Sequence, residues 1–182
     1  IGLTHSGESA ARLAGIKPWR VESGDIASRE SVADLAARIH APTIDAFIHC
    51  ASSGRGGADM YQSVYVDGMR HLVGAFPLAF ALYTSSTSVY PQTGGELVDE
   101  ESFAEPKRET GQLLREAEKI ALAANGAVAR LAGIYGPGRS FVLKNLLEGK
   151  AAIEGNEGQG RLLNQIHAED AASALVHLVS ER

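Results

Sequence analysis

A single cysteine, Cys50, excludes an intrachain disulfide and a cysteine-held zinc cluster. No block of Lys and Arg runs along the chain, and 17 basic against 22 acidic residues leave a formal charge of −5. That balance argues against nucleic acid as a partner, because a phosphate backbone calls for clustered positive charge. No apolar run nears the ~20 residues that span a bilayer. The start, "IGLTHSGESA", lacks the basic-then-apolar pattern of a signal peptide. These absences lead to the expectation of a cytoplasmic protein with no membrane partner. The six histidines are scattered, with no His-x-x-x-His pair, so no metal site is expected. The chain also has no Gly-x-Ser-x-Gly elbow, which leaves little support for a serine hydrolase built on Ser85 or Ser86 with His167.

What is present is an alternation of short apolar runs with amphipathic stretches. "IGLT", "WRVE", "IDAFIHCA", "LAFALYTSS", "AVARLAGIYG" (strand and turn) and "LLNQIH" read as strands. Between them, "ESAARLAG", "SVADLAARIH", "MYQSVYVDGMRHLVGAF", "TGQLLREAEKIALAAN", "FVLKNLLEG" and "AEDAASALVHLV" read as helices. In the second of these, Val32, Leu35, Ala36 and Ile39 fall at the i, i+3, i+4, i+7 spacing of one helical face. Gly15 suits a left-handed position just past the first helix. Apolar strands alternating with helices predict an α/β fold, a doubly wound parallel sheet with both faces covered. One domain over 1–182 is expected, with a small substrate-side portion at about 139–182. Such sheets bind ligands outside the carboxyl ends of their strands. The residues of interest are therefore Thr4-His5-Ser6, Gly24-Asp25, His49 to Ser52, Thr84 to Ser88 and Ala132 to Gly138.

Those strand ends resemble the extended short-chain dehydrogenase/reductase superfamily, and within it the NAD-dependent epimerase/dehydratase family. Five stretches carry the likeness: "GD" at 24–25, "DAFIHCAS" at 45–52, "TSSTSVY" at 84–90, "RLAGIYGPGR" at 130–139 and "NQIHAEDAA" at 164–172. They occur in the family's order over most of the chain. The resemblance implies a Rossmann-like fold and a bound NAD or NADP. It implies cofactor contacts from Thr4, His5, Ser6, Asp25, Ala51, Ser52, Thr84, Ser85, Ala132 and Ile134, and substrate contacts from Arg139 and Asn164. NAD-specific sites usually place a carboxylate after the second strand to bind the ribose 2′-hydroxyl. Thr4, His5 and Ser6 offer none, which favours NADP.

The family also opens with a strand, a Gly-x-x-Gly-x-x-Gly turn and a helix, and no stretch here matches them. "IGLTHS" aligns with the second strand, and the first strand of this sheet order lies between the second and the fourth. A strand-turn-helix of roughly 30 residues, about one βα unit, is therefore expected upstream of Ile1.

The family's reaction uses a Ser or Thr, a Tyr and a Lys. The Ser or Thr position matches Ser86, with Thr87 beside it. The Tyr and Lys belong to a frame Pro-x-x-x-Tyr-Gly-x-x-Lys-x-x-x-Glu, which falls here on Pro106, Thr110, Gly111, Leu114 and Glu118. Thr110 replaces the Tyr and Leu114 the Lys. A threonine does not titrate near neutrality, and a leucine neither hydrogen-bonds nor carries charge. Tyr65 likewise stands where the family carries Asn. The chain thus resembles an atypical branch that keeps the fold and lacks the usual Tyr-x-x-x-Lys. Ser86, Thr87 and Thr110 are the expected catalytic positions. Tyr90, Tyr135, Lys144, His167 and Arg139 are the side chains near the expected cleft that could substitute, although His167 and Tyr135 fit structural roles better, and His49 reads as structural.

Two functions follow. One is an NAD(P)-dependent epimerase/dehydratase- or reductase-like enzyme acting on a nucleotide sugar or another small hydroxyl or carbonyl compound. The other is a non-catalytic NAD(P)-binding sensor. A homodimer through helices 59–76 and 110–125 is the expected assembly.

Overall fold

The computed structural model describes residues 1–16, 18–54, 56–150 and 162–182. The substrate-side portion expected at 139–182 therefore includes a stretch, 151–161, outside the described residues. Strand β1 (Gly2–Thr4), helix α1 (Gly7–Ala14), β2 (Val21–Ser23) and α2 (Arg29–Ile39) come first. β3 (Ala46–His49) leads into α3 (Ala58–Tyr61), a π-helical turn (Gln62–Asp67) and α4 (Gly68–Ala75), which run on as one long helix. β4 (Phe80–Ser86), a 3₁₀ turn (Thr87–Val89), α5 (Glu109–Ala123) and β5 (Ala127–Leu131) form the next unit. β6 (Gly133–Tyr135), α6 (Phe141–Leu147), β7 (Gln165–His167) and α7 (Ala168–Ser180) complete the order.

Among the described residues every pair of named strands is parallel, as the βα alternation predicts, but the ladders fall into three groups: β1–β2, β3–β4–β5 and β6–β7. The "AVARLAGIYG" run, expected as a strand and a turn, is two strands broken at Ala132, and the second pairs with β7 instead of continuing along β4. Between β1 and β3 lies an apolar slot of about 630 Å³, walled by Ile1, Leu3, Ile26, Phe47, Ile48 and neighbouring side chains.

Side-chain caps set several helix starts. Ser6 Oγ accepts from the Ser9 N–H at 3.2 Å, and Ser28 Oγ from the Ser31 N–H at 3.2 Å. Gly15, expected in the left-handed region, ends α1 with right-handed φ and ψ of −71° and −14°. The amide of Gly15 bonds back to the carbonyl of Ala11, so the last turn closes without a left-handed residue.

The core lies between the central sheet and the pair α4/α5. Val66, Met69, Ala81, Tyr83, Val89, Leu114, Ala117 and Ala121 form one buried cluster. A second, smaller cluster joins Val32 of α2 to Leu72, Phe76 and Ala79. Close approach requires glycine at two positions where α5 meets its surroundings. A Cβ on Gly126 would lie 2.1 Å from the Ala81 carbonyl oxygen, and one on Gly111 would lie 2.6 Å from the Pro106 ring. The proline and glycine of the "PKRETG" frame are thus a packing pair: the ring of Pro106 occupies the space a side chain at 111 would need. Among the described residues, no helix is long and apolar enough to cross a membrane.

Candidate functional site

The ends of β1 and β2 build the first part. Thr4 Oγ1 donates to the Ser6 carbonyl at 3.1 Å, and Ser6 caps α1. Both hydroxyls are therefore engaged locally. His5 is free to turn toward β2, where its Nε2 lies 3.8 Å from Asp25 Oδ2. Asp25 is itself held firmly: its amide donates to Ser31 Oγ at 2.9 Å, and its Oδ1 accepts from the Ala27 N–H at 2.9 Å. Oδ2 remains as an acceptor at the strand end.

The ends of β3 and β4 are locked together by Thr84, whose Oγ1 donates to the His49 carbonyl at 3.0 Å. His49 is buried and makes a 3.0 Å hydrogen bond through Nε2 to the carbonyl of Val64, in the π-helical turn. A carbonyl only accepts, so Nε2 carries the hydrogen. Burial lowers the imidazole pKa and favours that neutral ring. His49 is a structural histidine, as the sequence suggests. Ala51 and Ser52 lie exposed just beyond, with Ser52 Oγ accepting from the Gly54 N–H. Tyr65, at the position of the family's Asn, directs its hydroxyl to Ser53, where it accepts from the backbone amide at 3.2 Å.

Strand alternation divides the serines after Thr84. Ser85 is buried and donates to Glu118 Oε1 at 2.6 Å. Ser86, half-buried on the opposite side, accepts from the Ser88 N–H at 3.1 Å and caps the 3₁₀ turn that begins at Thr87. Helix α5 packs beside this turn: a Cβ at Gly111 would lie 3.7 Å from the Ser88 carbonyl oxygen. Thr110 is half-buried in the first turn of α5, and among the described residues no hydrogen bond joins it to Ser86 or Thr87. Leu114 is 5% exposed and belongs to the main core cluster.

Sequence reasoning saw Glu118 only as a frame residue, yet it is the most elaborated polar group of the region. Fully buried, it accepts from Ser85, from Arg115, and from Arg130 through Nε at 3.1 Å and a terminal nitrogen at 2.9 Å. Burial alone would push the carboxyl up, but the hydrogen bonds from Arg130, Ser85 and Arg115 hold it below the usual range. Arg130 is correspondingly raised, first by its bond to Glu118. Its remaining nitrogen donates to Tyr90 Oη at 2.9 Å, its guanidinium lies 5.0 Å from the Tyr90 ring centre, and Tyr90 Oη donates to the Asp99 carbonyl at 2.7 Å. Tyr90 and Arg130 sit in the stretches 84–90 and 130–139, and Glu118 closes the frame on α5. What the sequence could not give is their pairing across 40 residues.

On the β6–β7 side, Ile134 pairs with Ile166 and Ala132 links the two sheets. Arg139 is exposed in a turn closed by mutual backbone bonds with Gly136, and it lines a cavity of about 540 Å³ with Ser140, Phe141, Lys144 and Leu147. Asn164 is exposed, and its carbonyl accepts from the Gly133 N–H at 3.2 Å. His167 caps α7 through Nδ1, and Tyr135 packs edge-on against it with ring centres 5.3 Å apart. The structure therefore groups Asp25 with His5, and Ser86 with Thr87. Arg139 and Asn164 lie apart from them, flanking the β6–β7 ladder. Among the described residues, no three His, Cys, Asp or Glu side chains gather where a metal could be held.

No curated protein matches the chain. Solved structures do. A protein from Methylobacillus flagellatus, described as an NAD-dependent epimerase/dehydratase, is 26% identical with a TM-score of 0.66, covering 96% of this chain and 66% of its own. The dTDP-glucose 4,6-dehydratase of Bacillus anthracis, solved in complex with NAD, is 20% identical with a TM-score of 0.73, covering 96% of this chain and 59% of that one. The UDP-Glc/GlcNAc 4-epimerase of Campylobacter jejuni is 16% identical with a TM-score of 0.76, covering 98% and 65% respectively. The last two, below a quarter identity, speak for the fold alone. The chain spans 59 to 66% of the length of these three proteins. The model of the NAD dependent epimerase/dehydratase family matches residues 1–182. Five ordered motifs, a parallel Rossmann-like sheet and a family match over its whole length lead to one assignment: the chain belongs to the NAD-dependent epimerase/dehydratase family.

Proposed function

We propose that this chain is the dinucleotide-binding part of an NAD(P)-dependent enzyme. Its substrate would be a nucleotide sugar or another small hydroxyl or carbonyl compound, and its proton-transfer residues depart from the family's usual set. The observation that carries the reading is the convergence of Asp25, Ala51–Ser52 and Ser86–Thr87 on the carboxyl ends of successive parallel strands, the side of such a sheet where ligands bind.

The fit of a nicotinamide cofactor differs between its two halves. At the adenine end, Asp25 Oδ2 is an available acceptor held in place by Ser31 and Ala27, and Ala51 and Ser52 present small, exposed side chains. His5, beside Asp25, adds no negative charge that would repel a ribose 2′-phosphate, which supports NADP as the cofactor form. At the nicotinamide end, Leu114 is buried in the core and supplies neither charge nor a hydrogen bond. The cofactor would supply hydride acceptance or donation. This chain would bind and orient through Asp25, Thr4, His5, Ser6, Thr84, Ala132 and Ile134, and would position the substrate hydroxyl with Ser86, Thr87 and Thr110. Arg139 and Asn164 would hold the substrate's far end on the β6–β7 side. The slot between β1 and β3 would take one further parallel strand, and helices 59–76 and 110–125 would form the homodimer contact. A reducing, cytoplasmic setting completes the proposal and agrees with the lone Cys50.

The second reading, a cofactor-binding sensor without turnover, is favoured by Leu114 specifically. The two separate in one assay on the intact protein: nicotinamide absorbance followed over a panel of nucleotide sugars and small hydroxy and keto compounds. Turnover of any member supports the enzyme. Micromolar cofactor binding with no turnover across the panel supports the sensor, and no binding of either nicotinamide dinucleotide overturns both.

A further inference from the structure

We infer that Glu118 is a positioning residue, which clamps the 3₁₀ turn bearing Ser86 and Thr87 from both of its ends. The inference rests on the proposed role of those two hydroxyls. Its geometry stands independently. Ser85, immediately before the turn, donates to Glu118 Oε1 at 2.6 Å. Tyr90, immediately after it, receives Arg130, and Arg130 forks onto the same carboxylate at 3.1 and 2.9 Å. Four residues, 86 to 89, therefore run between two attachments to one buried anion.

The physical logic favours a shared anchor over two separate ones. A carboxylate has enough acceptor sites for the serine and both guanidiniums at once. Bonds to an ionised group are stronger than neutral ones, and a buried network loses more than one bond when its centre is removed. The turn's own bonds are weak by comparison: the Ser88 N–H to Ser86 Oγ at 3.1 Å and the Tyr90 N–H to the Thr87 carbonyl at 3.1 Å. Without the clamp the turn keeps these bonds and the buried side chain of Val89, which leave the directions of the Ser86 and Thr87 hydroxyls less tightly set. The charged and titratable groups facing Glu118 are Arg115 on its own helix, Arg130 on β5, and Tyr83 on β4.

Amide hydrogen exchange of the intact protein tests this with Ser85→Ala, Tyr90→Phe, the double variant and Glu118→Gln. Each single variant removes one attachment to the Glu118 network, Tyr90→Phe also the bond to the Asp99 carbonyl, and each should speed exchange at Ser88 and Tyr90 by about tenfold or more, the effect of one hydrogen bond. Amides within β4 at Leu82 and Thr84 should keep their rates. In the double variant, adding Glu118→Gln should produce little further change at the turn. A uniform rise over the whole β4–α5 unit would mean that these residues only support global stability, and would overturn the inference. So would full additivity of Glu118→Gln on the double variant. If Glu118→Gln does not fold, the Ser85 and Tyr90 variants decide the question, since neither removes the buried charge. Turnover supplies a second readout: loss of kcat with the cofactor KM unchanged is expected in Tyr90→Phe. The turn-specific exchange pattern without any cofactor response would retain the clamp and reject the enzymatic reading.

Discussion

The β1–β2 edge and the β3–β4–β5 centre are built from the same parallel βα units, yet they are held in different ways. Around the centre, α4 and α5 bury Met69, Leu72, Leu114, Ala117 and Ala121, and the sheet contributes Ala81, Leu82 and Tyr83. At the edge, α1 has no buried residue, and β1 is backed by the apolar slot. Core packing and a buried ion network stabilise the centre. The edge relies on caps, one short ladder and surface ion pairs such as Arg20 and Arg38 on Glu22, which contribute little individually. Thr4 to Ser6 and Asp25 thus ride on the weaker half, and Ala51–Ser52 and Ser86–Thr87 on the stronger one.

Substitutions should expose that asymmetry. The largest effect is expected for Glu118→Ala, which leaves the guanidiniums of Arg115 and Arg130 without their buried partner. Removing one member of such a pair destabilises by about 3–5 kcal/mol, readable as a lower urea midpoint. The same carboxylate gives the centre an acid limit. Its folded pKa lies below its unfolded value, so its contribution is complete above the unfolded carboxylate range near ~4.3 and is lost as pH falls through the folded value. Glu118→Gln should flatten that acid slope. Gly111→Ala should come next, because its new Cβ meets the Pro106 ring at 2.6 Å. Overpacking of this kind costs about 1–3 kcal/mol and should appear as a reduced melting temperature. Ser6→Ala should have the smallest effect, about 1 kcal/mol from the lost cap. That loss should be confined to faster exchange in α1, with the centre unaffected.

Much of this was legible beforehand. Strand and helix positions follow from hydrophobic periodicity, and Gly-Asp at 24–25 fell at a strand end because a buried strand must stop where the chain turns polar. The frame on α5 was legible too, including the loss of Tyr and Lys at Thr110 and Leu114. Three features were not. The break at Ala132 depends on which neighbour β6 pairs with, and periodicity carries no pairing information. The π-helical turn, with Val64 bonded to His49, is a tertiary contact inside a sequence that reads as ordinary helix. Glu118 was legible only as the last residue of that frame, because a buried carboxylate is recognisable only once Ser85 and Arg130 arrive beside it from β4 and β5. The outer surface of α4 and α5 was also open from sequence. It combines the Arg70–Glu116 ion pair with exposed Leu122, and Met60 is exposed on the preceding α3; sedimentation analysis decides the proposed dimer.

The central claim is that one ligand site joins the carboxyl ends of these strands across the weak and the strong halves. Amide shift mapping during titration of the intact protein with NAD and with NADP tests it most directly. Resonances of Thr4 to Ser6, Asp25, Ala51–Ser52 and Ser86–Thr87 should move together on a single binding curve, and Asp25→Ala should weaken that curve. Shifts confined to the α6 and β7 region, or none at these strand ends at saturating cofactor, would contradict it.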